Sequence, residues 1–270
     1  MTTLPACLLM WKCLLSPVRW RGHSGFPRTR ALLPSSHYGL PVCFLSLADF
    51  QCPVSRTPSA DRSTPTGKVI DEYLRGSEQR DIRHLHRLFS ENRQEKAEYI
   101  RAQLAAGVHI VCDRYAFSGV AYTTAVDKSS SSPADTLQWC IDHYDGGLPR
   151  PDLVIYLDTA RVSDEMLQLR GGFGDERYER VDIMRAVQAG FDRLSSAIGV
   201  RQLEVGSATT PLPAVEEPAP DAGCQGLPWY CIDAFAGDQV KVAALVRGCI
   251  DPWIARTQSA PGLAQLGTLW

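Results

Sequence analysis

The sequence lacks the features that mark several classes of protein. No apolar run approaches the roughly 18 residues that a helix needs to span a bilayer, so no membrane-spanning segment is predicted. The nine cysteines form no CxxC pair and no cysteine–histidine cluster at zinc spacing, which favours reduced, buried thiols over disulfides or a zinc site. A net charge of −2 gives no reason to expect a nucleic-acid or membrane partner. One globular domain is therefore predicted for the 270 residues.

Residues 1–48 contain no acidic residue, although they carry basic ones at Lys12, Arg19, Arg21, Arg28 and Arg30. They show no sustained amphipathic period, so we expect residues 1–58 to lie outside the folded domain. Three interpretations stay open: a mitochondrial-type transit peptide, a disordered extension, and an alternative or misassigned first exon. The compartment therefore stays open between cytoplasm, nucleus and mitochondrion.

From residue 59 onward, short apolar runs alternate with amphipathic stretches. The apolar runs at 108–112, 153–157 and 229–232 predict strands that are buried on both faces. Helices are predicted between and around them, at 69–74, 80–106, 133–144, 160–169, 180–196 and 239–254. The alternation predicts an α/β fold with a parallel sheet, whose ligands gather at the carboxyl ends of the strands.

The domain is predicted to span residues 59–256 and to contain one insertion. Residues 203–227 are rich in Pro, Ala, Glu and Gly, which is typical of a flexible surface segment. Residues 257–270 are predicted to form a loose tail.

The segment DRSTPTG, at 61–67, places Arg62 immediately before a predicted helix start. A guanidinium beside helix-terminal amides makes a natural phosphate cradle. An ordinary helix start, capped by Ser63 or Thr64 with Pro65 in the first turn, explains the same pattern. The segment alone does not decide between these interpretations.

The segment LFSENR, at 88–93, lies in the long predicted helix. Phe89 and Arg93 are four residues apart and therefore share a helix face. A flat ring beside a guanidinium could stack on a base and hold a carbonyl or a phosphate. The alternative is a core phenylalanine and a solvated arginine.

The segment VCDRYAFSGVAYTTA, at 111–125, runs directly from a predicted strand into Asp113 and Arg114. The carboxyl end of a strand is the edge where an open α/β sheet binds ligands. Ser118 and Gly119 add a small hydroxyl and a bare backbone that a ligand can approach closely. A surface salt bridge is the plainer alternative.

The segment LRGGFGDERYER, at 169–180, is glycine-rich and charged and lies between two predicted helices. It predicts a mobile lid, with hinge freedom from its glycines and phosphate contacts from arginines, at Gly171, Gly172, Gly174, Arg170, Arg177 and Arg180. A flexible surface loop is the alternative.

Taken in this order, DRST, LFSENR, DRYAFSGVAY and RGGFGDERYE resemble the thymidylate kinases, above all their eukaryotic members. The runs LPRPDLVIYLD, at 148–158, and YCIDA, near Cys231, extend the resemblance. It implies phosphoryl transfer from ATP with Mg²⁺ to dTMP, giving dTDP for dTTP biosynthesis. It also implies a P-loop-kinase-like doubly wound parallel sheet with helices on both faces and a lid, and it leaves a homodimer open.

The resemblance also implies roles for individual residues. Arg62, Asp113 and Arg114 correspond to catalytic groups, because both arginines match side chains that hold the dTMP phosphate. The other substrate contacts fall on the base, through Phe89, Arg93, Ser118 and Gly119, on the sugar, through Tyr178, and close to both, through Tyr122. Arg170 matches an arginine that lies along adenine, and no residue is assigned to a metal.

One part of the family pattern is missing. Relatives begin with a strand and a GxxxxGK(S/T) phosphate loop, whereas the only Gly-Lys pair here, Gly67–Lys68, follows the DRST segment and precedes Val69. That loop supplies amides, a lysine and a hydroxyl for ATP and Mg²⁺, so we expect turnover to be abolished without it. We also expect the absent strand to leave a gap in the sheet, unless the apolar run at 41–48 fills its place.

Two functions follow from these observations. The first is a thymidylate kinase family chain whose own activity is impaired by the absent phosphate loop. The second is a non-catalytic relative that binds dTMP or a partner. A deoxynucleoside kinase fits the lid and the DRYAFSGVAY segment less well. Gln94 is a further departure, since relatives commonly carry tryptophan after the arginine.

Overall fold

The computed structural model describes residues 8–13, 54–58, 61–76, 80–165, 178, 180–200, 202–205, 224–237, 239–259 and 267–270. The strands are β1 (Leu8–Cys13), β2 (Val54–Pro58), β3 (His109–Asp113), β4 (Leu153–Asp158), β5 (Gln202–Val205) and β6 (Trp229–Asp233). The helices are α1 (Pro65–Leu74), α2 (Ile82–Ala105), α3 (Ala116–Val126), α4 (Pro133–His143), α5 (Val181–Ala197) and α6 (Gln239–Ser259).

All described strands form one parallel sheet with the order β2-β3-β1-β4-β6-β5. β1 has β3 and then β2 on one side, and β4, β6 and β5 on the other. Right-handed crossovers between these parallel strands place helices on both faces of the sheet. The predicted doubly wound α/β fold is confirmed. In doubly wound sheets, ligands bind at the carboxyl ends of the strands beside the point where the strand order changes direction, which is β1 here.

The expectation that the central strand is missing is wrong. β1 pairs with β3 on one side, from Leu8 opposite Ile110, and with β4 on the other, from Leu9 opposite Leu153. β2, which also falls within residues 1–58, pairs with β3 at the edge of the sheet. β1 is hard to recognise in the sequence because its apolar run is short, ends at Lys12, and lies in a basic segment without the alternating helix pattern seen from residue 59 onward. The run at 41–48, considered for the same place, lies outside the described residues.

The carboxyl-terminal part of the chain is more ordered than the sequence predicted. α6 continues to Ser259, and residues 267–270 pair with the chain near Pro149 through an antiparallel bridge. β5 occupies the beginning of the predicted insertion, and Cys224 and Leu227 near its end are buried. The remainder of the insertion and residues 260–266 lie outside the described structure.

The main core lies between the sheet and its helices. The apolar runs of β3, β4 and β6 are buried, as predicted for central parallel strands. Aromatic rings extend this core, with centroids 5.2 Å apart for Phe117 and Trp229 and 5.3 Å apart for Tyr156 and Phe191. A second cluster joins α1 to α2 and comprises Ile70, Tyr73, Leu74, Leu85 and Leu88.

The described cysteine side chains are buried thiols, at Cys112, Cys140, Cys224, Cys231 and Cys249. Burial raises the pKa of the Cys112 thiol to about 12 and acts in the same direction on the others. The predicted burial is thus confirmed for these positions, and thiols with raised pKa values are poor nucleophiles at neutral pH. Among the described helices, none is both long and apolar enough to cross a membrane.

Helices α3 and α5 approach each other closely at Gly190. A Cβ atom at this position would lie 2.8 Å from the carbonyl oxygen of Ala121 and 3.2 Å from its Cα. Because both are backbone atoms, α3 itself would have to shift to make room. The glycine therefore fixes the distance between α5 and the helix that carries Ser118, Gly119 and Tyr122.

We expect Gly190→Ala to lower the free energy of unfolding by about 2 kcal/mol, because the new methyl group forces two helices apart. Gly248→Ala is a matched control, since nothing lies within 4 Å of a Cβ at this position of α6. The control should be neutral or should stabilise the protein by up to about 1 kcal/mol. Urea denaturation measures both, and equal effects of the two substitutions would contradict the packing described.

Candidate functional site

Acidic residues end three of the central strands at the same edge of the sheet. Asp113 is the last residue of β3, while Asp158 and Asp233 end β4 and β6 and lie opposite each other. Burial raises the pKa of Asp158, whose carboxylate accepts a hydrogen bond of 3.0 Å from Gln188. Of these three, only Asp113 was predicted as a site residue from the sequence. The position of the other two at the end of an apolar run was the available signal.

Arg114 has an unusual backbone conformation. Its φ of 65° lies in the left-handed region, which costs an arginine on the order of 1 to 3 kcal/mol. The turn places its guanidinium carbon 5.5 Å from the centre of the Tyr122 ring, within cation–π range. The surrounding structure therefore holds Arg114 in a strained conformation at the edge where an α/β sheet binds ligands.

Tyr122 and Tyr178 lie together although 56 positions separate them in the sequence. Their ring centroids are 5.6 Å apart, and the Tyr178 hydroxyl shares a hydrogen bond of 2.9 Å with the Tyr73 hydroxyl of α1. Phe89 and Tyr178 both pack on the small cluster between α1 and α2. The structure thus brings four of the predicted residues, Arg114, Tyr122, Tyr178 and Phe89, around one apolar wall.

Arg93 is buried and bound to a carboxylate that the sequence analysis did not name. Its Nε and one Nη donate hydrogen bonds of 2.9 and 2.6 Å to the two oxygens of Asp145, and Ser90 Oγ donates a third bond of 2.8 Å. The two charged side chains are only 1% and 0% exposed. The alternative of a solvated Arg93 is therefore wrong.

Gly119 lies directly against the Arg93 guanidinium. A Cβ on this glycine would approach the two terminal nitrogens of Arg93 to 3.1 and 3.3 Å. Ser118, beside it, is buried, and its Oγ has no hydrogen-bond partner within the part of the chain that the structure describes. The first turn of α3 and Arg93 therefore form one surface. Its Ser118 hydroxyl and Arg93 guanidinium could donate hydrogen bonds to a ligand.

His86 lies behind this surface, one helical turn from Phe89. Its Nδ1 is 2.8 Å from Thr123 Oγ1, and its ring lies against Trp139 and edge-on to Tyr144. Burial lowers the pKa of His86 to about 4, and the positive charge of Arg93 acts in the same direction. The imidazole is therefore neutral at physiological pH and serves as a packing group.

Asn92 ties the DRST segment to α2. Its side-chain oxygen accepts a hydrogen bond of 2.8 Å from the Asp61 backbone, and its amide nitrogen donates to Thr64 and Thr66 at 2.7 and 2.8 Å. Thr64 also caps α1, accepting from the Gly67 backbone. The predicted helix start is therefore present, and it is fixed against the helix that carries Phe89 and Arg93.

The charges of the DRST segment are paired within the protein. Lys96 Nζ lies 2.6 Å from Asp61, and this hydrogen bond, with those from Ser63, lowers the pKa of Asp61 to about 2. Arg62 pairs with Asp71 of α1. A phosphate that binds Arg62 would therefore compete with a carboxylate already in place.

A groove of about 850 Å³ lies on another side of α2. Ser90 and Asp145 line it together with Gln94, Tyr144 and Trp270, whereas the lining contributed by described residues includes none of the predicted site residues. The groove is thus separate from the predicted site and meets the Arg93 ion pair only through Asp145.

The predicted lid lies almost wholly outside the described residues. Arg170, Arg177 and the three glycines fall there, so the predicted adenine contact stays a prediction. Arg180 is described, and its guanidinium pairs with Asp182 at 2.8 Å. The helix predicted at 160–169 is described only as far as residue 165.

Comparison with known proteins decides between the family interpretations. A family model described as thymidylate kinase matches residues 52–216, which is more than half of the chain. The chain belongs to the thymidylate kinase family. The resemblance drawn from the four sequence segments is thereby confirmed, and with it membership of a phosphotransferase family.

Curated relatives from eukaryotes support this assignment. The thymidylate kinase of Schizosaccharomyces pombe is 41% identical over 144 residues, which cover 53% of this chain and 63% of that protein. The thymidylate kinase of Caenorhabditis elegans is 43% identical over 141 residues, covering 50% and 60%. The human thymidylate kinase is 44% identical over 119 residues, covering 44% and 51%. The chain thus spans about three fifths of the length of the first two.

The fold comparison agrees with the sheet described above. The solved thymidylate kinase of Candida albicans superposes with a TM-score of 0.63, covering 95% of each chain at 22% identity. At this identity the likeness shows the fold, which is the family's doubly wound parallel sheet.

Two substitutions of Arg114 distinguish the effect of its backbone strain on stability from the effect of losing its guanidinium. Glycine adopts a φ of 65° without strain, whereas alanine keeps the strain, and both remove the guanidinium. We expect Arg114→Gly to be more stable than Arg114→Ala by about 1 kcal/mol in thermal or urea unfolding. Equal stabilities would contradict the strained conformation.

His86 should make the stability depend on pH. Its pKa is about 4 in the folded protein against 6.5 normally, so between these values the unfolded chain binds more protons. The free energy of unfolding should therefore fall by about 2 kcal/mol between pH 7 and pH 5. In His86→Gln this contribution should be lost, while that of His109, whose pKa is also lowered by burial, remains. A decrease of the same size in both proteins, in urea titrations at the two pH values, would exclude His86 as its source.

Proposed function

We propose that this chain binds dTMP, the acceptor in the phosphoryl transfer from ATP that its family implies. The observation that supports the proposal most strongly is the buried pairing of Arg93 with Asp145 beside Gly119. It presents oriented N–H donors next to a bare backbone and close to the ring of Phe89, a residue of the same face of α2. These groups suit a flat base that carries a carbonyl.

The ion pair also favours a base carbonyl over a phosphate at Arg93. The charge of the guanidinium is already balanced by Asp145 at 2.6 Å, in a place from which water is excluded. A phosphate would add negative charge beside a buried carboxylate and would be repelled. A neutral carbonyl meets no such repulsion. We therefore assign Arg93 and Phe89 to the thymine, with Ser118 and Gly119 against the same ring.

The phosphate and sugar would bind further along the same surface. Arg114 follows Asp113 at the carboxyl end of β3, the edge where sheets of this kind bind ligands, and we assign it to the dTMP phosphate. Tyr122 and Tyr178 form the aromatic wall for the deoxyribose. Arg62 would take part only by exchanging its bond to Asp71 for one to the phosphate, so that binding at Arg62 is coupled to a movement of that side chain.

The ATP half of the reaction has fewer supporting residues. No GxxxxGK(S/T) pattern occurs in the 270 residues, including the stretch between β1 and β2. No group of three His, Cys, Asp or Glu side chains within the described structure is placed to hold a metal ion. Arg170 is the one side chain that the resemblance assigns to adenine. We therefore propose that phosphoryl transfer by this chain is severely impaired.

A second candidate function is a non-catalytic relative that binds dTMP. It is favoured by the contrast between the two halves of the site. Buried hydrogen bonds hold the side chains of the acceptor half, whereas the sequence lacks the loop that would hold the ATP phosphates. The two candidates share dTMP binding and differ only in turnover.

Calorimetric titration with dTMP and with Mg-ATP, together with an assay for ADP release, tests the proposal. We expect dTMP to bind with a Kd between about 1 µM and 1 mM, the usual range for enzyme substrates. We expect neither measurable Mg-ATP binding nor dTMP-dependent ADP release. Release of ADP that depends on dTMP would overturn the impairment, and absence of dTMP binding would overturn the proposal itself.

A pair of substitutions on α2 then locates the base. Phe89→Ala should weaken dTMP binding by about tenfold, because it removes a ring stacked on the thymine. Tyr99→Ala is the matched control, since Tyr99 is an exposed aromatic residue on the same helix and should leave the affinity unchanged. An equal effect of the two substitutions would place the nucleotide elsewhere.

A further inference from the structure

Residues 267–270 dock onto the chain beside the base site. The Arg150 backbone donates a hydrogen bond of 2.9 Å to the Gly267 carbonyl, and the Leu269 backbone donates one of 3.1 Å to the Leu148 carbonyl. Leu269 is completely buried, and its carbonyl accepts a bond from the Cys224 thiol. This short segment is therefore an integral part of the fold.

Trp270 reaches from this segment to both neighbours of Asp145. Its indole N–H donates a hydrogen bond of 2.8 Å to the carbonyl of Tyr144, and its own carbonyl lies against Gly146, 3.5 Å from where a Cβ would be. The turn between these contacts carries Asp145 in a left-handed conformation, with a φ of 63°. The conformation of Asp145 is thus set from both sides by one residue.

Trp270 also contacts the helix that carries the Ser118 and Gly119 side of the proposed base site. Its ring centroid lies 5.9 Å from that of Phe117, the residue immediately before Ser118 and Gly119 on α3. Asp145 orients Arg93 through two hydrogen bonds, and Gly119 approaches the same guanidinium. Trp270 therefore supports Asp145, which orients Arg93, and also the first turn of α3, which Arg93 faces.

We propose that Trp270 is a positioning residue for base recognition, acting on Arg93 through the turn at Tyr144–Gly146 and Asp145. The role in recognition rests on the proposed binding of dTMP, whereas the mechanical link to Arg93 stands independently of it. Asp145 is the intermediate, because a two-point bond between a carboxylate and a guanidinium transmits a rotation of one group directly to the other. Trp270 touches no part of the nucleotide in this account.

The mechanical link is tested on the protein without nucleotide. The Arg93 Nε–H is bonded to Asp145 and shielded from water, so its exchange with solvent, measured by NMR, should be slow. In Trp270→Phe, which keeps an aromatic ring but loses the bond to Tyr144, exchange should become at least about tenfold faster. Trp253→Phe in α6 is the matched control and should leave it unchanged.

The pattern of the change separates positioning from general destabilisation. If Trp270→Phe merely weakened the whole fold, protected backbone amides in β4 and β6 would exchange faster by the same factor as Arg93. We expect a selective effect on Arg93. An unchanged Arg93 exchange rate, or a uniform acceleration, overturns the proposal.

The role in recognition is tested by the ratio of the affinities for dTMP and dCMP. Cytosine replaces one thymine carbonyl with an amino group, which cannot accept a bond from a guanidinium. We expect Trp270→Phe to reduce the preference for dTMP by about fivefold, and Asp145→Asn to reduce it further. A loss of affinity equal for both nucleotides overturns the role in recognition. Failure of the unmodified protein to bind dTMP would count against the proposed function, while the exchange measurement would still decide the link to Arg93.

Discussion

The buried pair of Arg93 and Asp145 is the interaction on which the base side of the site depends. Two charges with almost no exposure to water can coexist only if they are paired, and removing one partner from such a pair typically costs about 3 to 5 kcal/mol. Ser90, Gly119 and the turn at Tyr144–Gly146 are all arranged around it. Asp145 thus holds the Arg93 guanidinium in one orientation and balances its charge, which suits the binding of a neutral base.

The phosphate side depends instead on the sheet. β1 lies between β3 and β4, and in a doubly wound sheet ligands bind at the carboxyl ends of the strands beside the point where the strand order reverses. Arg114 follows β3 in a left-handed conformation that only a well-supported turn tolerates. Backbone strain at this edge, together with the raised pKa of Asp158, is typical of a functional region.

The sequence alone predicted the α/β class, because long amphipathic helices and continuous apolar strands have distinct periods. The resemblance to a family also pointed to Phe89, Arg93 and Arg114 as site residues, which stays a prediction. The sequence did not predict β1, Asp145 or the docking of Trp270. These features depend on contacts between distant parts of the chain, and a turn such as Tyr144–Gly146 has no period that could identify its partner. An aspartate beside a glycine is typical of a turn, but nothing in the sequence identifies this aspartate as the counter-ion of Arg93.

A crystal structure of the chain with dTMP tests the central claim most directly. We expect the thymine ring to lie between Phe89 and the first turn of α3 at Ser118 and Gly119. One thymine carbonyl should accept a hydrogen bond from Arg93, and the pair between Arg93 and Asp145 should stay intact. The phosphate should lie beside Arg114. A nucleotide bound elsewhere, or an Arg93 that leaves Asp145 to hold the phosphate, would contradict the central claim.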